Sequence, residues 1–363
     1  FNQGYGGSFE LATRIAKKTP EGINRIFYTI CGSTAVETAI KIAIAYHRAK
    51  GDAKRFRFVG RERGYHGMNI GATTVGGMIN NVKTFASVLM PGVQHMRHTH
   101  LPEHKFVKGQ PETGVEMAED LERIAMNFGG ENIAACIIEP IAGSTGTLVP
   151  PKGYLKRIRE ICNKHGILLI FDEVITGWGR TGSAFAAQEW NVTPDIMTMA
   201  KATTNGVVPM GVVAVKEEIY DSVLDASSAP EGTPELFHGY TYSGIPVAVA
   251  AALAVQDIFD KEDIFKRAKE MSPYLQDGLQ SLKDLKEVVS IRGYGMMGGI
   301  EMKMKEKPGK AGFQTFKHCY DAGVNFKNTG DNLIIAPQFI CEKKHIDEII
   351  EKLRTGISNY SKS

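Results

Sequence analysis

The chain has few cysteines, and no two of them are close enough in sequence to suggest a metal-binding or redox motif. The five, Cys31, Cys136, Cys162, Cys319 and Cys341, are scattered without a C-x-x-C pair. This pattern is typical of reduced, mostly buried thiols, and it predicts a cytoplasmic protein.

Long apolar runs and an excess of one charge are also missing. The longest apolar run, residues 245–255, is too short to span a bilayer, and no signal peptide is visible. The 43 basic and 40 acidic residues give a net charge of +3, which offers no electrostatic case for binding nucleic acid or an anionic membrane. The 363 residues, 43% of them hydrophobic, are enough for a large core and two domains.

Short apolar runs alternate with helical patterns through most of the chain. Strands are predicted at residues 25–29, 57–60, 133–138, 167–171, 196–199 and 212–215. Helices are predicted between them, including residues 33–48 and 154–164. Apolar strands joined by helices indicate an α/β fold with a mostly parallel central sheet flanked by helices.

The pattern changes after about residue 244. A long apolar helix begins at Pro246, a residue that favours a first helical turn. Helices at 265–282 and 345–353 and strands at 288–291, 298–302 and 332–336 are then predicted. We therefore expect a large domain over residues 1–245 and a smaller α+β domain over residues 246–363.

An acid and a lysine each follow a predicted strand. Asp172 and Lys201 are thus expected at the carboxyl ends of neighbouring strands, where α/β proteins bind ligands. A lysine amine can condense with an aldehyde, and a carboxylate can keep a pyridine nitrogen protonated. The pair indicates pyridoxal phosphate chemistry, although most lysines are simply solvated.

A candidate phosphate site precedes a predicted helix. Gly32 and Ser33 follow a strand, and the free amides of a helix start favour a phosphate dianion. Gly32 allows a close backbone approach, and the Ser33 hydroxyl can donate a hydrogen bond. Residues 34–37 also fit a capping box, which an ordinary capped helix would share.

Two side chains are placed to contact a flat ring. Tyr65 lies on a glycine-flanked loop after a strand and can stack on an aromatic cofactor. Val174, two residues beyond Asp172, is expected on the same side of the strand and can pack on the other ring face. A half-buried loop anchor is the alternative interpretation of Tyr65.

Two other patterns suggest different chemistry but do not fit it. Residues 177–182 match G-x-G-x-x-G, but residues 172–176 separate them from the strand, which a dinucleotide site does not allow. His95, His98, His100 and His104 crowd one segment. Pro102 interrupts it, and no nearby cysteine or carboxylate set has ligand spacing, so no metal site is predicted.

Taken together, the motifs resemble the class III (subgroup II) aminotransferases, which are pyridoxal-phosphate enzymes of fold type I. The resemblance rests on residues 171–182 with 194–201, and it extends to 32–41, 65–67, 139–143, 237–244 and 330–331. Residues 141–155 look most like the omega-amino acid:pyruvate (β-alanine:pyruvate) branch.

The resemblance implies a role for each matching residue. Lys201 would bond to the cofactor aldehyde and move the proton, and Asp172 would pair with the ring nitrogen. Thr241 would bind the phosphate of the neighbouring subunit, which makes the site composite and the protein an obligate homodimer. The other implied cofactor contacts are Gly32, Ser33, Tyr65, His66, Val174 and the more distant Glu139, and the implied substrate contacts are Tyr65, Ser144, Tyr240 and Lys327.

The chain departs from the family at three places, of which Ile245, in place of a histidine common after the Ser-Gly pair, has no obvious consequence. Lys327 stands where an arginine usually clamps the keto-acid carboxylate. A lysine offers one compact charge instead of a planar fork, so Lys327 either binds the carboxylate more weakly or is a solvated surface residue. The amino-terminal segment that helps to close the substrate pocket in the family is largely absent from these 363 residues.

We therefore expect a cytoplasmic aminotransferase that moves an amino group from an omega-amino acid or other primary amine to a keto acid, with pyruvate as the expected acceptor. The alternatives are an aminomutase of the glutamate-1-semialdehyde type and a non-catalytic protein of the same fold. The donor stays open among β-alanine, taurine, γ-aminobutyrate, polyamines and arylalkylamines.

Overall fold

A seven-stranded sheet forms the centre of the protein in the computed structural model, which describes residues 4–228 and 236–362. Its strands are β1 (Ile23–Thr29), β2 (Arg57–Arg61), β3 (Val93–Met96), β4 (Ile133–Ile138), β5 (Leu168–Asp172), β6 (Ile196–Met199) and β7 (Gly211–Lys216). Their order is β1-β7-β6-β5-β4-β2-β3. All neighbours from β6 to β3 are parallel, and β7 runs antiparallel to both β6 and β1. The predicted mostly parallel sheet is confirmed.

Helices cover both faces of this sheet. They are α1 (Gly6–Ala16), α2 (Gly32–Ala49), α3 (Ile70–Val75), α4 (Ile79–Thr84), α5 (Glu119–Phe128), α6 (Tyr154–His165), α7 (Ala186–Glu189), α8 (Glu217–Asp225) and α9 (Pro246–Lys261). Successive strand residues point to opposite faces, so Leu169 and Phe171 enter one core with α6 and α9, whereas Ile170 enters the other with α2. Each such buried side chain contributes about 1.5–3 kcal/mol.

Helix α2 begins earlier than its sequence suggests. Its N-cap is Cys31, and Thr34 is the third helical residue, whose hydroxyl accepts a hydrogen bond from the Cys31 N–H at 3.0 Å. Glu37 instead accepts from the N–H of Ala72, at 3.2 Å, on the neighbouring helix α3. The predicted capping box at residues 34–37 is therefore wrong, because the chain turns into the helix directly after β1.

A second, four-stranded antiparallel sheet follows in the chain. The remaining elements are α10 (Ile264–Gln280), β8 (Val288–Tyr294), β9 (Met297–Met302), α11 (Lys310–Asp321), β10 (Lys327–Thr329), β11 (Asn332–Ile335) and α12 (Lys343–Lys362). The strand order is β10-β11-β9-β8. Leu279, Ile300, Leu333 and Leu353 join this sheet and its helices in one core, which confirms the smaller α+β part.

Within the described residues, none of the helices combines the length and apolar character that a membrane crossing requires. Four of the cysteines are buried, and Cys31 is partly exposed.

Candidate active site

The acid and the lysine lie on adjacent strands of the parallel part of the sheet. Asp172 is the last residue of β5 and pairs in register with Thr198 of β6. Lys201 follows β6 and opens a short 3-10 turn, Lys201–Thr203. Both residues line one cavity of about 810 Å³ at the carboxyl edge of the sheet. The ladder between two strands therefore sets the spacing of the candidate reactive groups.

The Asp172 carboxylate is buried and held by three donors. Its Oδ2 lies 2.8 Å from Nδ1 of His66. Its Oδ1 accepts hydrogen bonds from the N–H of Val174 at 3.1 Å and from the hydroxyl of Thr198 at 3.2 Å. Bonds to both oxygens prevent rotation of the carboxylate, so its orientation at the cavity wall is fixed.

The Lys201 amine is surrounded by protein but faces the cavity. The residue is exposed by its surface area, and it lines the cavity. Burial lowers the pKa of the amine, the charges of Asp172 and Glu139 oppose that shift, and the charge of Lys327 adds to it. A lowered pKa increases the neutral fraction of the amine, which is the form that attacks a carbonyl.

The first turn of α2 forms a narrow floor beneath this pair. A Cβ on Gly32 would lie 3.2 Å from both methyl groups of Val174. Gly67 has a φ of +110°, and a Cβ there would lie 2.4 Å from the Ser33 Oγ. Ser33 Oγ accepts from the Met68 N–H at 3.2 Å, which leaves its own proton free to donate. Free helix-start amides and a free hydroxyl make a cradle for an anion.

Glu139 holds the loop that carries Tyr65. Its two carboxylate oxygens accept from the N–H of Tyr65 at 2.8 Å and from the N–H of Gly143 at 3.1 Å. Complete burial raises the pKa of Glu139, and the nearby charge of His66 opposes that shift. Glu139 therefore fixes the backbone of the loop that carries the half-buried Tyr65 ring.

The comparisons with known proteins agree with this geometry. The family described as Aminotransferase class-III matches residues 4–357. The chain belongs to the class III aminotransferases. It is 49% identical over 356 residues to an omega-aminotransferase of Caulobacter vibrioides, covering 98% of this chain and 80% of that protein. It is 42% identical to an omega-amino acid–pyruvate aminotransferase of Pseudomonas putida, covering 97% and 78%.

The fold comparison leads to the same class of enzyme. An omega transaminase from Pseudomonas jessenii, solved in complex with PMP, superposes with a TM-score of 0.93 at 29% identity, covering 99% of this chain and 80% of that one. The predictions of a fold type I enzyme, of pyridoxal phosphate as cofactor and of amino transfer to a keto acid are confirmed.

The residues present in this aminotransferase fit its cofactor. When bound, pyridoxal phosphate supplies an aldehyde that condenses with amines and a ring that draws electrons. The cavity offers an amine (Lys201), a fixed carboxylate (Asp172) and an anion cradle (Ser33) on one wall. Nε2 of His66, also in this wall, is buried without a hydrogen-bond partner among the described residues.

Two predicted site residues lie elsewhere in the same chain. Tyr240 and Thr241 line a second cavity of about 1290 Å³ with Tyr5 and Phe9, not the cavity of Lys201. Ser144 and Lys327 do line the first cavity, together with Gly32, Ser33, Tyr65, His66, Glu139, Asp172 and Val174. The Lys327 Nζ lies 5.9 Å from the centre of the Tyr65 ring.

Arg180 is a cavity residue that sequence reasoning missed. Its Nη1 donates to the carbonyl oxygens of Met296 at 2.7 Å and Pro337 at 2.8 Å, and its guanidinium lies 4.3 Å from the Phe339 ring centre. Burial lowers its pKa to about 10. Arg180 thus connects the loop after β5 to the second sheet. The available signal was an arginine inside the glycine-rich residues 177–182.

The two patterns set aside at the sequence level have structural explanations. No helix opens directly after residues 177–182, since α7 begins at Ala186. His95 and His104 hydrogen-bond the carbonyl oxygens of Gly76 and Thr113, at 2.8 and 3.0 Å. In the part of the chain that the structure describes, no group of three potential ligands is placed to hold a metal ion.

Proposed function

We propose that this aminotransferase takes amino groups from omega-amino acids or other primary amines and passes them to pyruvate. The observation that carries the proposal is the shared cavity of Lys201, with its lowered pKa, and the buried Asp172 carboxylate. The names of the relatives that are 42% and 41% identical, omega-amino acid–pyruvate and β-alanine–pyruvate aminotransferase, support pyruvate as the acceptor.

Lys201 and Asp172 would carry the proton movements. The Nζ of Lys201 would take the proton that leaves the carbon bearing the amino group, and a lowered pKa increases the neutral fraction of the amine that can accept it. The Asp172 carboxylate, fixed by His66, would hold a proton on the ring nitrogen of the cofactor. Because a carboxylate stabilises that positive charge, the ring would keep its electron-withdrawing character.

The remaining cavity residues would bind and orient. Ser33 and Gly32 would hold the phosphate, and Tyr65 and Val174 would face the two sides of the ring. His66 and Glu139 would support Asp172 and Tyr65, in agreement with their hydrogen bonds. Each contact leaves the cofactor fewer orientations, which lowers the entropy cost of reaction.

The substrate carboxylate would bind to Lys327, with Ser144 and Tyr65 beside it. The Lys327 ammonium lines the cavity and forms no ion pair with an acid of the described residues. An unpaired cation at a cavity wall attracts an anion, and the attraction is moderate here because Lys327 is exposed and solvent screens its charge. This interaction would retain a keto acid such as pyruvate.

A second copy of the chain would complete the site. Thr241 would reach the phosphate of the neighbouring subunit, and Tyr240 would line the substrate path. Both lie in the second cavity, and the adjacent Phe237 and Tyr242 are 84% and 67% exposed. Large exposed aromatic side chains are typical of surfaces that a partner covers. We also infer a cytoplasmic homodimer, which light scattering after gel filtration would test. The proposed division of each chain into two domains at about residue 245 leaves α9 packed in the core of the large sheet.

The test is replacement of Lys201 by alanine. The holoenzyme is mixed with a panel of amines and with pyruvate, and alanine formation and amine-dependent bleaching of the visible chromophore are measured. Lys201→Ala should abolish both, whereas Lys54→Ala, a change at an exposed lysine, should affect neither. A wild-type enzyme that bleaches but never forms alanine from pyruvate would instead favour an aminomutase.

A further inference from the structure

We propose that Trp178 and Thr203 form a positioning pair for Lys201, in which the indole N–H holds the Thr203 hydroxyl and that hydroxyl holds the carbonyl of Ala200. The inference rests on the role of Lys201 proposed above. It assigns a task to two buried residues that need not contact substrate or cofactor.

The hydrogen bonds of the pair run through a single hydroxyl. The Nε1 of Trp178 donates to Oγ1 of Thr203 at 3.0 Å, and Oγ1 of Thr203 lies 3.0 Å from the carbonyl oxygen of Ala200, to which it donates. A hydroxyl has one proton and two lone pairs, so it makes both bonds at once. The exposed fractions of the two side chains are 1% and 0%. Water therefore does not compete for these bonds.

The turn that this pair holds is strained at Lys201. Lys201 has a φ of +46°, a left-handed conformation that costs free energy in a residue with a Cβ. Ala200, just before it, is extended, with φ −164° and ψ −145°. The backbone thus changes from extended to left-handed across the peptide between these two residues. The carbonyl oxygen of that peptide accepts from the N–H of Thr203 at 2.9 Å and from its hydroxyl at 3.0 Å. Such strain persists only where the surroundings enforce it.

The amine itself has no fixed partner. Among residues 4–228 and 236–362, no hydrogen bond or ion pair holds the Lys201 Nζ. The position of the amine consequently follows from the backbone of its turn and from the cavity walls. A small rotation of the turn would move a long side chain by more than the turn itself, so the carbonyl of Ala200 is an effective place to fix it.

Trp178 is well anchored for this task. Its ring packs against Phe185, with 4.9 Å between centroids, and stacks on Phe259 at 5.8 Å. Its N–H has Thr203 as its hydrogen-bond partner, and a buried indole N–H without an acceptor would be costly. Trp178 also belongs to the loop that carries Val174 and Arg180 into the cavity wall. Trp178 thereby joins the turn that carries Lys201 to the loop that carries Val174 and Arg180.

Conservative variants at Thr203 separate the effect of losing its hydrogen bonds from the effect of losing its packing. Thr203→Val keeps the shape and removes the hydroxyl, and Thr203→Ser restores the hydroxyl. Trp178→Phe removes the indole donor together with part of a buried ring, so its melting temperature is measured beside its kcat. For Thr203→Val we expect about a fivefold to tenfold lower kcat with little change in the KM for the amine. Thr203→Ser should stay within about twofold of wild type. The Trp178→Phe/Thr203→Val double variant should be no worse than Thr203→Val, because both changes break one connection.

A second measurement does not depend on catalysis. The apoenzyme is labelled with acetic anhydride across a range of pH, and mass spectrometry of the peptide with Lys201 gives the pH at which the amine becomes reactive. Thr203→Val should shift that pH, and Thr203→Ser should not. Lys54, an exposed lysine, is the internal control.

Distinct results would overturn the inference. A Thr203→Val enzyme that only loses melting temperature, with unchanged kcat and labelling profile, would give the pair a purely structural task. A Thr203→Ser enzyme as poor as Thr203→Val would assign the effect to the methyl group. If Thr203→Val fails to fold, Trp178→Phe carries the same test. Should Lys201→Ala stay active, the proposed function fails, but the labelling comparison still tests the pair.

Discussion

His66 and Asp172 form a buried pair, with 2.8 Å between Nδ1 of the imidazole and Oδ2 of the carboxylate. The exposed fractions of these residues are 2% and 4%. The other carboxylate oxygen is held by Thr198 and by the backbone of Val174. The proposed acid of the site is thus held by groups from two strands and a loop.

Asp172→Asn should lower kcat by about 10²- to 10⁴-fold, the usual range for groups that act in proton transfer. Asparagine keeps the shape of the side chain but removes the charge that would hold a proton on the cofactor ring. The rate of the half-reaction with an amine, followed by visible absorbance, measures the effect. Asp277→Asn, at an exposed acid, is the matched control. A loss below tenfold would contradict the proposed role of Asp172.

Gly67→Ala should weaken the binding of pyridoxal phosphate by at least about tenfold. Its Cβ would come within 2.4 Å of Ser33 Oγ and displace the hydroxyl from the phosphate cradle. Gly22→Ala is a close control, because Gly22 also has a positive φ, +85°, but nothing lies within 4 Å of its Cβ. Equilibrium dialysis gives both dissociation constants. Equal losses in the two variants would show that backbone strain, not the contact with Ser33, is responsible.

Lys201→Met should raise the melting temperature of the apoenzyme at neutral pH. Burial holds the pKa of Lys201 below its ordinary value of 10.5, so the unfolded chain binds more protons in the window between the two values. The wild-type protein therefore gains stability as pH rises through this window, and the cost of charging Lys201 is complete below it. The advantage of Lys201→Met should shrink toward pH 10. Melting curves at several pH values, with Lys54→Met as control, measure it; a variant less stable than wild type at pH 7 would refute the prediction.

Glu173→Gln should flatten the dependence of stability on pH. Burial raises the pKa of Glu173 to about 7, against an ordinary 4.5, although Thr176 and the N–H groups of Ala186 and Ala187 oppose the shift. The folded state then binds more protons between these values, so this contribution is complete below 4.5 and is lost as pH rises through about 7.

The side-chain NH₂ group that Glu173→Gln introduces would face backbone N–H donors. The unpaired donors would lower the free energy of unfolding by about 1–3 kcal/mol. Urea unfolding from about pH 5 to pH 8 should therefore give a lower free energy of unfolding for Glu173→Gln than for wild type, with a weaker dependence on pH. Glu116→Gln, at an exposed acid, should follow the wild-type curve. Parallel curves for Glu173→Gln and wild type would be the contrary outcome.

Lys327→Arg should change the apparent affinity for pyruvate more than that for an uncharged amine. A guanidinium binds a carboxylate with two parallel hydrogen bonds, whereas an ammonium acts as a point charge. We expect the KM for pyruvate to fall roughly threefold in Lys327→Arg and to rise roughly tenfold in Lys327→Met. Initial rates at varied pyruvate measure both. An unchanged KM for pyruvate in Lys327→Met would show that Lys327 does not bind the pyruvate carboxylate.

The sequence predicts which residues meet in the candidate cavity better than it predicts the contacts around them. Asp172 and Lys201 end strands with strong apolar patterns, and the ends of adjacent parallel strands meet at one edge. The motif with Tyr65 and the helix start at Gly32 are local signals of the same kind. Each requires only the residues next to it in the chain.

Features that depend on distant contacts were missed. Strand β3 is a four-residue edge strand with two polar residues, Gln94 and His95, side by side, so it shows no alternation of apolar and polar residues. Helix α11 and strand β10 are likewise defined by packing in the second sheet. The bonds of Arg180 to Met296 and Pro337, and of Trp178 to Thr203, join segments far apart in sequence. No local spacing of residue types encodes such a contact.

The cavity takes its proposed reactive groups and part of its lining from different sheets. Asp172 and Lys201 belong to the edge of the large sheet, whereas Met297, Lys327 and Ile335 belong to the small one. Replacements in the small sheet can therefore change the shape of the substrate space while the positions of Asp172 and Lys201 stay the same. An enzyme of this architecture is able to acquire new amines and new acceptors by mutation without first rebuilding its catalytic centre.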